Sequence, residues 1–400
     1  MHILAVAASN AIKYPAIRLQ TLTSRTCIVS RSSLLPVGLL LGPFALLVNP
    51  VHWAMLIAAT IAAAVLQPAA LPVQGLHVLS LPKANVDEFV RFVETDLKRE
   101  GVNLIVLEVD YNFDFKSRPE MAEPGGLNHE DARKIAEACK RAGIRLIPQM
   151  GMLGHQSWAK DTGKLLTVYP HFDETPGKYP NNEGIYCRSY CPRHPEVHKV
   201  LFPLIDEMCD AFQADAFHAG MDEAFILGDA DCARCKDAPK ATLFAEEVTR
   251  IQEHLKSKKR EMWMWGDRFL DAKITGLGEW EASTNETAPS LRMISKDVVI
   301  CDWHYENAPP TAAWFAGEGF RVVSSPWRKP HVALSQLEQI LAARKGVAKT
   351  IADRLLGTLH TTWVDGATFM KAYRGEETND AAKETVATFK ALMGAIRGEK

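Results

Sequence analysis

The run FHAGMDEAF at 217–225 puts His218, Asp222 and Glu223 within six positions of a segment that otherwise has the composition of a buried strand. Isolated carboxylates are costly to remove from water, so two neighbours in an apolar setting need either ionic partners or a chemical task. One such task is acid–base work, in which unequal surroundings keep one carboxyl protonated and the other ionised. Successive side chains on a regular strand face opposite ways, so Asp222 and Glu223 can address one pocket only where the strand ends and bends. Gly220, just before them, is compatible with such a bend. Structural ion pairing is the competing reading.

Further polar and aromatic residues fall at the ends of other apolar runs: Asp110, His155, Trp265 with Asp267, Trp303 with Tyr305, and Trp363 with Asp365. Flat apolar rings complement the C–H faces of sugars, and carboxylates accept from sugar hydroxyls, so this mixture suits a carbohydrate partner. Any one of these tryptophans, taken singly, fits core packing equally well. Cleaving a glycosidic bond calls for a protonated carboxyl at the leaving oxygen and a second group that stabilises the oxocarbenium centre. Glu223 and Asp222 are the obvious pair, whereas SSPWRK (324–329) contributes no carboxylate.

The segments that must position these residues alternate in kind. VQGLHVLSL (73–81) precedes the amphipathic VDEFVRFVETDLKREG (86–101), and VNLIVLEVD (102–110) precedes HEDARKIAEACKRAG (129–143). IRLIPQM (144–150) runs into the loop GMLGHQSW, and EVHKVLFPLIDEMCDAF (196–212) leads to ADAFHAGMDEAF. TLFAEEVTRIQEHLKSK (242–258) then leads to EMWMWGD (261–267). DVVICDWHY (297–305), FRVVSSPW (320–327) after a short helix in TAAWFAGEG, and RLLGTLHTTWVDG (354–366) bring the strand candidates to eight. Eightfold alternation predicts an α/β fold of the (β/α)8 TIM-barrel type, whose functional residues gather at the C-terminal strand ends. A doubly wound open sheet is the alternative, but no glycine-rich phosphate loop follows the first strand, which also argues against a nucleotide cofactor. No cofactor is expected.

Of 400 residues, 47% are hydrophobic and 24% charged, and the formal net charge of -2 offers no concentrated cationic face for nucleic acid. KSKKR (256–260) fits the solvated end of a helix. The first 86 residues lack Asp and Glu, and Lys13, Arg18, Arg25 and Arg31 precede the apolar runs 34–48 and 53–66. That is the pattern of an export signal or membrane anchor, although each run is shorter than the ~20 residues of a spanning helix. Residues 1–71 are therefore expected to be a targeting or anchor region outside the fold, with 72–400 forming the barrel. The protein would then be exported, or held at a membrane through this segment. Met55 opens a compact apolar segment of its own and offers an alternative start. Among eight cysteines, Cys187, Cys191, Cys232 and Cys235 form two close pairs, which fits disulfides or a structural zinc site of Cys191, Cys232 and Cys235 with His194.

HAGMDE, the Gly-His of GHQS, the Trp and acid of WGD and the Trp-x-acid of WVD together resemble glycoside hydrolase family 20, the β-N-acetylhexosaminidases, from about Val73 to the eighth strand. The resemblance implies retaining, substrate-assisted hydrolysis of terminal non-reducing N-acetylhexosamine residues, in which the sugar's acetamido oxygen attacks the anomeric carbon to give an oxazolinium ion. It implies Glu223 as acid then base, Asp222 as orienter of the acetamido N–H, and Asp110 and His155 as groups that tune the acid. His155 could instead cap its loop. Trp265, Asp267, Trp303, Trp363, Asp365 and His218 are the candidates for sugar binding, though His218 could equally brace its strand. The chain departs from the family at HVLSLPK, where an arginine is usual, and after SSPW, where the family tyrosine is missing. Tyr305 is expected to stand in for that tyrosine. The family's separate N-terminal α/β domain is not expected in the residues before the barrel.

Two other functions fit the same residues. A sugar-binding barrel without turnover would use the aromatics alone. A glycosidase for sugars lacking an acetamido group would need a protein nucleophile, with Asp267, Asp302 or Asp365 available.

Overall fold

The computed structural model describes residues 71–399. The expected targeting or anchor segment therefore lies outside the described residues, apart from its last position. No described helix is long and apolar enough to cross a membrane.

Eight parallel strands form the barrel: β1 (Val73–Leu79), β2 (Leu104–Glu108), β3 (Arg145–Met152), β4 (Ala216–Gly220), β5 (Glu261–Trp265), β6 (Val299–Trp303), β7 (Arg321–Ser325) and β8 (Leu355–His360). Each pairs with its neighbours in sequence, and β1 pairs with β8 to close the sheet. The expected (β/α)8 architecture is thus observed. The crossover helices include α1 (Val86–Phe92), α2 (His129–Ala142), α3 (Val197–Ala211), α4 (Lys240–Ser257), α5 (Thr311–Gly317), α6 (Pro330–Gly346) and α7 (Gly366–Tyr373), followed by α8 (Asp380–Arg397). Between β5 and β6 the chain makes only short helical turns, at Asp267–Phe269, Ala272–Thr275 and Ala288–Arg292.

Local sequence explains the boundaries. Asn128 and Asp131 form a reciprocal capping box at the start of α2, and Gly143 ends it in the left-handed conformation. Period-two alternation sorts the strand side chains. Leu104 and Val106, Trp263 and Trp265, and Val299, Cys301 and Trp303 fill the barrel, while Ile105, Leu107, Met264 and Ile300 pack against the helices.

Two features bear on the site. The connection from β3 to α3 is long and contains a two-residue antiparallel ladder, Ser157–Trp158 with Asp161–Thr162, and a short helix, Lys164–Val168. The chain leaves β4 abruptly, with Gly220 at φ +62°, Met221 at +70° and Glu223 at +46°.

Closure itself depends on Gly357. It sits at φ +139°, where the β7–β8 register shifts, and a Cβ there would lie 2.0 Å from the Val73 carbonyl oxygen. Only glycine tolerates both conditions. Gly357→Ala should destabilise the protein by roughly 3 kcal/mol or more in denaturant unfolding. A loss below about 1 kcal/mol would show that the β1–β8 seam is not so constrained.

Candidate active site

The bend after β4 resolves the geometric problem posed by adjacent carboxylates. With positive φ at Gly220, Met221 and Glu223, Asp222 and Glu223 both turn toward His155 on the loop after β3. His155 Nε2 lies 3.2 Å from Asp222 Oδ2 and 3.2 Å from Glu223 Oε2. It is within ion-pair distance of both, yet aligned for a good hydrogen bond with neither. Burial opposes a charge on His155, but the two carboxylates outweigh it and raise the imidazole well above its ordinary range. Burial likewise works against ionisation of Asp222, and His155, with Arg268 further off, reverses this and lowers its pKa. One imidazolium therefore balances charge that two neighbouring carboxylates could not carry alone. The spacing of these three ligand-type groups would also admit a divalent cation, but the imidazolium already accounts for their approach.

The backbone of Glu223 is held from β5's end. Its N–H donates to Asp267 Oδ2 at 3.0 Å, while Arg268 Nε donates to the same oxygen at 2.6 Å and Trp303 Nε1 approaches Oδ1 at 3.4 Å. Asp267 thus positions the Glu223 loop. Arg268 is fully buried and donates onward to the carbonyls of Glu279, Trp280 and Ala282. A Cβ on Gly154 would sit 3.0 Å from the Asp222 carbonyl oxygen, so a side chain there would separate the two loops.

Beneath the carboxylates lies a polar layer that the strand-end motifs did not disclose. Alternation points His77, Glu108, Gln149 and His218 into the barrel. Glu108 Oε2 accepts from Gln149 and pairs with His77 Nε2 at 3.0 Å. Burial, reinforced by the nearby Asp222 charge, raises Glu108 to about 8. Burial also raises Asp110 to about 7, with Glu108 adding to it, although Asp110 Oδ1 accepts from the Gly151 N–H at 2.7 Å. His77 is pushed down to about 3 by burial and is neutral.

The expected residues are distributed as follows. Asp110, His155, Asp222 and Glu223 meet at one mouth, with Asp267 behind them. Tyr305 is nearby, stacked on Trp303 with its oxygen accepting from Trp363 Nε1 at 2.7 Å. Burial raises its phenol, and the charges of Asp222 and Glu223 add to the effect. Two expectations of sugar contact are corrected, and Asp365 has a further task. Trp265 is fully buried among His77, His218 and Trp363, so it is the floor of the site and not an exposed platform. His218 is also fully buried, its Nδ1 accepting from the Gly220 N–H, and braces the strand end. Asp365 uses one carboxylate oxygen on the Thr368 N–H and the other on the Thr368 hydroxyl, capping α7. Asp302, a nucleophile candidate, points outward and bonds Thr311 and His304.

Sequence reasoning missed Tyr186. It lies beside Glu223 on the long β3–α3 connection, edge-on to His155, Trp158 and Trp280. Trp158 and Trp280 are exposed, and with Tyr186 they give the mouth an aromatic rim. The cysteine expectation is also corrected in part. Cys191, Cys232 and Cys235 do converge, but with Glu174 in place of His194, and Cys187 lies apart, its Sγ 3.6 Å from the Glu223 carbonyl. His194 Nδ1 accepts instead from the Glu196 N–H.

Residues 110–386 match the catalytic domain of glycosyl hydrolase family 20. The chain belongs to that family. A β-hexosaminidase of Akkermansia muciniphila is 28% identical over 145 residues, which are 34% of this chain and 28% of that protein. The fold is shared with a chitobiase of Flavobacterium johnsoniae (18% identity, TM-score 0.54, 82% of this chain and 51% of that one). It is shared too with an exo-β-N-acetylglucosaminidase of Vibrio harveyi solved with N-acetylglucosamine (16% identity, TM-score 0.55, 81% and 54%). The chain thus spans about half the length of these two solved relatives.

Desolvated Glu108 keeps its proton in the fold, which gives a signed pH effect. For Glu108 the folded pKa is raised, so its contribution to stability is complete below 4.5 and is lost as pH rises through about 8. Thermal unfolding across that window should show Tm falling with pH, with a flatter profile for Glu108→Gln. Equal slopes in the two proteins would contradict the protonated layer.

Proposed function

We propose that this protein hydrolyses terminal non-reducing N-acetylhexosamine residues of glycans with retention, the sugar's acetamido oxygen serving as nucleophile. The observation that carries the reading is the sharing of His155 between Asp222 and Glu223 while the other carboxylates that might attack carbon are engaged elsewhere. Asp267 holds the Glu223 loop, Asp302 faces the helices and Asp365 caps a helix. A mechanism that needs no protein nucleophile fits this distribution.

Glu223 delivers a proton to the glycosidic oxygen as the bond to the anomeric carbon breaks. The acetamido carbonyl oxygen closes on that carbon, forming the oxazolinium ring, and Asp222 accepts a hydrogen bond from the acetamido N–H and offsets the positive charge. Glu223, now a carboxylate, takes a proton from the water that reopens the ring. The lowered pKa of Asp222 favours its anionic role. Tyr305 is the proposed donor to the acetamido oxygen, and the aromatic rim of Trp158, Tyr186 and Trp280 would face the sugar or its leaving group. Family membership supports the substrate class. The proposal includes export or anchoring through the leading segment.

Glu223→Gln should lose roughly 10²- to 10⁴-fold in kcat on substrates with poor leaving groups, and much less on activated aryl glycosides, because only the former need the proton. Equal losses on both, with fold and affinity unchanged, would remove Glu223 from the acid role. A thiazoline mimic of the cyclised sugar should bind the wild type far more tightly than free N-acetylglucosamine does, and Asp222→Asn should erase most of that advantage. A thiazoline that binds no better than the sugar would overturn the assignment of Asp222.

A further inference from the structure

We propose that Glu174, Cys191, Cys232 and Cys235 bind one zinc ion, which staples the loop carrying His155 to the loop carrying Asp222 and Glu223. One ligand atom from each of the four residues falls within 4.8 Å of all the others, and all four residues are buried. Cys191 Sγ is 3.5 Å from Cys235 Sγ and 3.6 Å from Cys232 Sγ. A tetrahedral zinc with bonds of about 2.3 Å to sulfur spaces its sulfurs about 3.8 Å apart, close to these values and far beyond a covalent S–S bond.

The carboxylate supplies the second, independent sign. Glu174 is fully buried, yet no described lysine, arginine or histidine pairs with it. Its Oε1 accepts from the Gly228 N–H at 2.8 Å and from the Asp229 N–H at 3.3 Å, which leaves Oε2 buried without a partner. A buried carboxylate with one oxygen satisfied and the other bare is expensive unless a cation stands beside it.

The backbone is shaped for the same purpose. Residues 172–174 and 189–191 run antiparallel, joined by Cys191 N–H to the Phe172 carbonyl at 2.6 Å and Glu174 N–H to the Ser189 carbonyl at 3.0 Å, which places Glu174 and Cys191 diagonally across the pair on one face. Cys232 and Cys235 sit on one turn, with the Cys235 N–H donating to the Cys232 carbonyl at 3.2 Å. The N–H groups two residues after Cys191 and Cys232, those of Arg193 and Arg234, are directed at the respective sulfurs. Such N–H contacts offset thiolate charge, and Arg193 adds a cation nearby. On binding, each thiol releases its proton to solvent and zinc takes up the three thiolates and the carboxylate. Thiolate-rich donor sets select zinc over harder cations.

Two of the ligands, Glu174 and Cys191, belong to the β3–α3 connection, and two, Cys232 and Cys235, to the segment after β4. The ion would therefore act as a structural clamp and take no part in the reaction. The test is elemental analysis of the purified full chain by plasma mass spectrometry, with thiol titration of denatured protein in the presence of a chelator and no reductant. One zinc per chain, with all cysteine thiols titrating freely, is expected. Substoichiometric zinc with free thiols, another metal in its place, or thiols that appear only after reduction would each overturn the proposal. Variants decide the fourth ligand. Glu174→Gln should weaken zinc retention against a chromophoric chelator by about 10-fold or more, whereas His194→Ala should leave it unchanged. The reverse pattern would remove Glu174 from the site.

Discussion

The structure turns on one shared charge. His155 Nε2 stands 3.2 Å from an oxygen of each of two sequence-adjacent carboxylates. Without that cation, Asp222 and Glu223 would repel one another at close range and neither could be held near the other in a largely dry mouth. With it, one carboxylate can remain ionised while the other is free to exchange a proton. Everything around the trio serves to hold it. Positive φ angles at Gly220, Met221 and Glu223 turn both acids the same way, Asp267 grips the Glu223 N–H, and Gly154 leaves room for the two loops to touch.

The barrel beneath is less apolar than a packed (β/α)8 interior would be. His77, Glu108, Gln149 and His218 form its upper layer, and Trp263 and Trp265 fill the space below and beside them. Glu108 and Asp110, raised to about 8 and about 7 by burial, are neutral through much of the range in which Asp222 is charged. They add hydrogen-bonding capacity near the site without adding negative charge. The arrangement keeps Asp222 anionic beside His155 while Glu108, toward the barrel axis, and Asp110 keep their protons.

How much of this could be read from sequence depends on which signals are local. Strand–helix alternation is local, and seven of the eight strands fell within the expected runs, while β3 continues two residues past its run to Met152. Asp222, Glu223, His155 and Asp110 were legible because polar residues ending apolar runs are conspicuous. Trp265 was misread because a position at a strand's end still lies within the barrel when the neighbouring strands rise past it. Asp365 carries a second task, because an acid before Gly366 serves a helix N-cap as readily as a ligand. Glu108 escaped notice since the last residue of β2 looks no different from Asp110 two positions on, and only closure of the barrel decides which neighbours it meets. Tyr186 and Glu174 lie on a long connection with no periodicity, so nothing local could bring either to its partners.

The central claim is that carbon is attacked by the substrate's own acetamido oxygen, with Asp222 and Glu223 assisting. Hydrolysis rates across aryl N-acylglucosaminides whose acyl group carries none, one, two or three fluorines test it most directly. Each fluorine weakens the carbonyl oxygen as a nucleophile while leaving the leaving group untouched. The account predicts a steep, monotonic fall in kcat with fluorination, with no sugar covalently retained on the protein. A rate indifferent to fluorination, with a glycosyl adduct trapped on any carboxylate, would contradict it.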